Sequence, residues 1–164
     1  MIMLKPLEQF VCDQCGQIIE SPEKGWVEWL RNPTERKAYG FRIVHHATSS
    51  PLRVEGQRDK NCYNYTRYDV RMDLPLDSFI DELMPQLLVF LDVGPYHEPE
   101  YLGIQVKDMR EFVEFVRRLT LPYYEEARLY WRKAKNDGYF WDYSPVFIYR
   151  SDALKKLIET YGES

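Results

Sequence analysis

Apolar and polar positions change their period once along the chain, close to residue 75. Before that point the pattern is short and strand-like. "GWVEWL" (25–30) follows a Pro-Glu-Lys-Gly turn and is rich in strand-favouring residues. After the polar turn "NPTERK" (32–37), "AYGFRIVHH" (38–46) alternates with period two. Phe41, Ile43 and His45 share one side, and Arg42, Val44 and His46 share the other. Two such runs across a short turn predict an antiparallel hairpin. A polar loop, "ATSSPLRVEGQRDKN" (47–61), then leads to Cys62.

From residue 76 the period is helical. Phe79, Ile80, Leu83, Leu87, Leu88 and Leu91 form an apolar stripe, with Pro85 as the point of a kink or split and Gly94-Pro95 as its end. "VKDMREFVEFVRRL" (106–119) places Val106, Met109, Val113 and Val116 at helical spacing. Between Pro122 and Gly138 a further helix carries Tyr123, Ala127, Tyr130, Trp131 and Ala134 along one side. "PVFIYR" (145–150) reads as a short strand, and Ser151 as the cap of a last helix ending at Gly162. The expected class is α+β. A small antiparallel β-ribbon over 1–72 precedes a mainly helical region of about four helices over 73–164. The two join near "DLPLD" (73–77) and pack as one unit.

Composition narrows the function. With 164 residues the chain suits one ordinary domain or a small module on a compact one. A formal charge of −4 argues against non-specific coating of nucleic acid, which needs many neutralised phosphates. The charge is uneven: residues 1–72 hold eleven Lys/Arg against nine Asp/Glu, and residues 73–164 hold eleven against seventeen. The start "MIMLKPL" has no apolar run long enough for a signal peptide, and "LMPQLLVFLDV" (83–93) is about half a membrane span. A soluble, cytoplasmic protein in reducing conditions, without a membrane partner, is the expectation. Phosphate-loop, dinucleotide-binding, nucleophile-elbow and His-Glu-x₂-His signatures do not occur in the sequence.

Three cysteines make a poor disulfide framework and a reasonable metal set. In "CDQC" (12–15) the two-residue spacing brings both sulfurs to one side, and Gly16 suits the tight turn of such a knuckle. A structural zinc site commonly wants Cys₄ or Cys₃His. Cys62 and the histidine pair ending the second strand complete the count. The candidate set is Cys12, Cys15, Cys62 and His45, with His46 as the substitute. His45 is preferred because it shares a strand face with Phe41 and Ile43. One structural Zn²⁺ per chain is the cofactor expected. A redox role for "CDQC" would place it between a strand and a helix, whereas "GQIIESPEKG" reads as strand and turn. Buried thiols without metal are the plain alternative.

The knuckle with its distant partners resembles zinc-ribbon-type modules over the first seventy residues, with separated single ligands in place of a second Cys-x₂-Cys. The order "CDQCG", "FRIVHH", "KNCYNY" also resembles nucleases of the HNH type. That resemblance implies His46 as general base and His45 as a metal ligand, or an inactive relative of such an enzyme. It departs at Tyr65, which stands where the second knuckle's partner would be, and no histidine follows in this region.

Two binding surfaces also suggest themselves. "RVEGQRDKNCYNYTRYDVR" (53–71) interleaves basic residues with Tyr63, Tyr65 and Tyr68, a pattern able to grip single-stranded nucleic acid. Tyrosines packing the ribbon against the helical part are the alternative. Residues 106–137 could form a helix-turn-helix with Arg128, Arg132, Lys133 and Lys135 on the reading helix, although Glu125 and Glu126 lie at the end that would meet DNA first. The sum favours binding to protein or nucleic acid over catalysis.

Overall fold

Five strands and six α-helices are formed by the described residues, 3–57, 60–63 and 69–162, of a computed structural model of the chain. β1 (Phe10–Val11) and β2 (Ile18–Ile19) pair antiparallel on either side of the "CDQC" turn. β3 (Gly25–Arg31) and β4 (Ala38–His45) make the expected hairpin, with Val27 opposite Ile43. Asn32 sets its turn: Oδ1 accepts from the Thr34 and Glu35 amides at 2.9 and 2.8 Å, an Asx arrangement that reverses the chain. The class is α+β, as the change of period implied.

β5 (Val70–Pro75) is a third strand, and the sheet order is β4-β3-β5. The sequence places a joint here, at "DLPLD". Pro75 can end the strand because β5 lies at the sheet edge, where a missing N–H breaks no inner ladder. β5 therefore lies across the division expected at residue 72. α1 (Leu76–Asp81) follows at once, packed so closely on β3 that a Cβ on Gly25 would lie 2.7 Å from Leu76 Cδ2.

α2 (Leu83–Leu91) begins after a break at Glu82, not at Pro85. Pro85 occupies the first turn of α2, where amides have no helical partner to lose. α3 (Met109–Thr120) starts at an Asp108 cap whose carboxylate accepts from the Arg110 and Glu111 amides. The inner face of the sheet, Val27, Trp29, Phe41 and Ile43, meets Phe79, Phe90, Phe112 and Phe115 from α1, α2 and α3. Phe41 lies 5.1 Å from both the Phe90 and Phe115 rings. Each such buried ring contributes roughly 1.5–3 kcal/mol through area removed from water. Phe10, Cys12, Ile19 and Cys62 belong to the same core.

α4 (Tyr124–Asn136) and α6 (Ser151–Tyr161) form a second cluster, with the short α5 (Pro145–Ile148) between them in the chain. Leu154, Leu157, Ile158 and Tyr161 make the buried stripe of α6 and seat against Ala127 and Ala134 of α4, small enough for close approach. The strand expected at 145–150 is instead the short α5. Ser144-Pro145 starts a helical turn, with the Phe147 and Ile148 amides on the Ser144 carbonyl at 3.0 and 3.3 Å. Ser151 is the first helical residue of α6, and Arg150 holds the cap position. The extra break at Glu82 and the turn at α5 turn about four expected helices into six.

Candidate metal centre

β1 runs straight into Cys12, and the chain reverses there within five residues. The Gly16 amide bonds the Cys12 carbonyl and the Cys12 amide bonds the Gln17 carbonyl, both at 2.9 Å. Gly16 has φ +72°, a left-handed conformation that suits glycine. The turn docks on β4 through Asp13: its amide donates to Ile43 O at 2.9 Å, and its carboxylate accepts from the Ile43 amide at 2.7 Å. This docking sits two residues before His45 and brings the knuckle beside the end of β4. Cys62 arrives from the long loop, where Ser50 Oγ accepts from the Cys62 amide at 2.9 Å.

The Sγ atoms of Cys12, Cys15 and Cys62 and a ring nitrogen of His45 all lie within 4.8 Å of one another. Cys15 Sγ is 3.5 Å and Cys62 Sγ 3.8 Å from His45 Nδ1. A tetrahedral zinc with ordinary bond lengths would have sulfur–nitrogen edges of about 3.6 Å. The donor atoms therefore fit a tetrahedral ion. Cys12 and Cys62 are 1 % exposed and His45 is 5 % exposed, so the donors converge inside the protein.

The histidine is set in the form a metal needs. His45 Nε2 lies 3.2 Å from the Ile18 carbonyl, which can only accept, so the ring proton sits on Nε2. In the neutral ring, Nδ1 is left with its lone pair facing the sulfurs. Burial pushes the Cys62 thiol up to about 12 and the Cys12 thiol above its ordinary value. Backbone amides of Cys15, Gln14 and His45 oppose this at Cys12. Ser50 opposes it at Cys62: its oxygen accepts from two amides, which frees its proton for Sγ at 3.1 Å. Two sulfurs so buried, Cys12 and Cys62, can hold negative charge only beside a cation.

His46 is drawn elsewhere. Its ring stacks on Trp26 at 5.4 Å, and Nδ1 meets Thr48 Oγ1 at 2.7 Å. Of the basic and aromatic residues considered for a single strand, Arg67, Tyr65 and Tyr68 lie outside the described residues. Tyr63 packs on Trp26 with the Arg71 guanidinium 3.6 Å above its ring, and Arg71 also pairs with Glu28 and Asp73.

Periodicity did not reveal what clamps the knuckle from behind. Arg118 of α3, its side chain only 5 % exposed, donates to Asp13 Oδ2 at 2.6 Å and to the Val11 carbonyl at 3.2 Å. Its other face pairs with Glu125 at 2.8 Å, and Glu125 in turn accepts from the Val11 amide at 2.8 Å. Arg128 adds a further bond to Glu125 at 3.0 Å. Glu125 and Glu126, expected at the DNA-facing end of a reading helix, are thus buried; Glu126 accepts from the Leu4 amide. The one sequence signal for this network was a pair of acidic residues in the first turn of an amphipathic helix.

No protein-family model matches the chain, and neither a curated protein nor a solved structure matches it significantly. Among the described residues no helix is long and apolar enough to cross a membrane.

Proposed function

We propose that Cys12, Cys15, His45 through Nδ1, and Cys62 hold one structural Zn²⁺, and that the chain is a binding protein of zinc-ribbon type, not a catalyst. The supporting observation is that four protein donors, three buried and Cys15 half-buried, meet within 4.8 Å of one another. Such a set leaves no coordination position for water or substrate, the mark of a structural site. Three sulfurs and one imidazole also favour zinc over the hard, oxygen-seeking cations.

An HNH-type centre would need His45 and His46 free to act together. With His45 directed at the sulfurs and His46 against Trp26 and Thr48, that arrangement has little support. A protein partner is favoured over single-stranded nucleic acid. Arg42, Arg71, Arg118 and Arg128 are engaged by Glu28, Asp13, Asp73 and Glu125, which leaves less positive charge for phosphates. Trp141, Val146 and Phe147 stand exposed around α5, the kind of apolar surface that protein partners cover.

The test is elemental analysis of protein purified without a polyhistidine tag, in wild type and Cys62→Ser. One zinc per chain, lost in the variant, is expected. Folded, reduced wild-type protein free of metal would overturn the proposal. Salt-sensitive binding of a single-stranded oligonucleotide would replace the protein partner with nucleic acid.

A further inference from the structure

A cleft of about 590 Å³ opens at the Arg31–Ala38 end of the β3–β4 hairpin, the end remote from His45, between β5, α2 and the segment 93–105. Its size falls in the range of small-molecule sites. The floor is apolar: Trp29 and Phe90 meet edge to face at 5.4 Å, with Met72, Leu74 and Val89 beside them. The far wall is held in place by its own hydrogen bonds. The Gln105 amide donates to Phe90 O at 2.8 Å, its side chain to the Tyr101 and Gly103 carbonyls at 2.6 and 2.9 Å, and the Gly103 amide to Asp92 at 2.9 Å. The cleft is therefore formed before anything enters it.

Its polar edge is cationic. Arg31, Arg36 and His97 line it. Asp73, the acidic lining residue, pairs with Arg71 at 2.6 Å, and Glu35 with Lys107 at 3.4 Å. Among the described residues no carboxylate pairs with Arg31 or Arg36. Arg36 is instead laid on the Tyr101 ring at 4.6 Å, which leaves its N–H edge open. His97 packs on the same ring at 4.5 Å, and its Nδ1 accepts from the Glu98 amide at 3.0 Å. The neutral ring thus presents Nε2–H as a donor. Cationic N–H donors over an aromatic floor complement one kind of molecule.

We propose that this cleft binds a small organic carboxylate carrying an apolar ring or chain, with Arg31 and Arg36 gripping the carboxylate and Trp29 and Phe90 covering the apolar part. A guanidinium suits the two oxygens of a carboxylate, and the bond is strengthened by charge on both partners. The site is independent of the metal centre.

Titration calorimetry with 2-naphthoate and decanoate, each beside its neutral alcohol, tests this on the whole metal-loaded chain. At least one carboxylate is expected to bind one to one, tighter than about 1 mM, with its alcohol weaker by about tenfold or more. Arg31→Gln and Arg36→Gln should erase that preference while leaving the weak alcohol binding. Val89→Trp, at a half-exposed position, should block both. Thermal melts and zinc content check that each variant is folded. Failure of both carboxylates to bind folded wild type would overturn the proposal. So would equal affinity for acid and alcohol, or a preference that survives in both arginine variants.

Discussion

Around Cys12, Cys15, His45 and Cys62 the chain converges from three separate stretches: the knuckle, the end of β4 and the long loop that follows it. Around Leu154, Leu157 and Ile158 it converges from two helices joined through a compact aromatic turn. The first region has strands of two residues, β1 and β2, which cannot hold a register unaided. Loop closure must be offset there by strong, directional bonds. The second region has regular amphipathic helices and an aromatic shell in which Trp131 lies 4.6 Å from Phe140 and 5.8 Å from Tyr149. On the proposed reading, donor atoms around an ion organise one part, and area removed from water organises the other.

That contrast breaks most severely on removal of the metal. Structural zinc contributes on the order of 10 kcal/mol to the fold of a small site. Chelation at neutral pH should lower the thermal midpoint steeply and strip hydrogen-exchange protection from residues 10–62 before residues 124–161. An unchanged melting curve after the metal is stripped would show that the front needs no donor bonds.

Next in size is Arg118→Met, which leaves Glu125 and Asp13 facing a buried hole in their pairing. A loss of about 3–5 kcal/mol in denaturant unfolding is expected. The same pair has an acid signature. Burial alone would raise the Glu125 carboxyl, but Arg118 and Arg128 hold it below its ordinary value. Its contribution is therefore complete above about pH 4.3, the ordinary glutamate value, and is lost as pH falls through the lowered one. Arg118→Met should flatten that part of the acid profile.

Leu157→Ala sharpens the comparison from the other side. It empties a fully enclosed position in the α4–α6 cluster and should cost about 2–4 kcal/mol, with zinc content unchanged. His46→Ala should have the smallest effect, under about 1 kcal/mol from the lost Trp26 stacking, again with zinc retained. Loss of metal in that variant would move the fourth donor from His45 to His46.

The sequence was legible where one local rule governs. Two-residue spacing brought Cys12 and Cys15 together, and the period-two face of 38–46 separated His45 from His46. The stripes of α3, α4 and α6 followed the helical period. It was illegible where a distant partner decides. Val70–Pro75 carries a proline and an acidic residue, and becomes a strand because β3 offers it an edge. "PVFIYR" has strand-forming side chains but no strand to pair with among the described residues, so the Ser144-Pro145 start prevails. The burial of Glu125 was hidden because the Val11 amide it accepts from lies at the other end of the chain. The Arg31–Arg36 cleft was equally hidden, since its floor comes from β3, β5 and α2.

The bond from Arg118 to Asp13 also orders events in time. A chain made from its N-terminus releases all four donors well before Arg118 exists, so an ion held as proposed would be captured by a nascent segment whose knuckle is still untethered from behind. When α3 and α4 emerge, Arg118 and Glu125 close on Val11 and Asp13 from both sides. On that proposal, metal capture and its locking are separate steps of biogenesis, and the second waits for the rest of the chain.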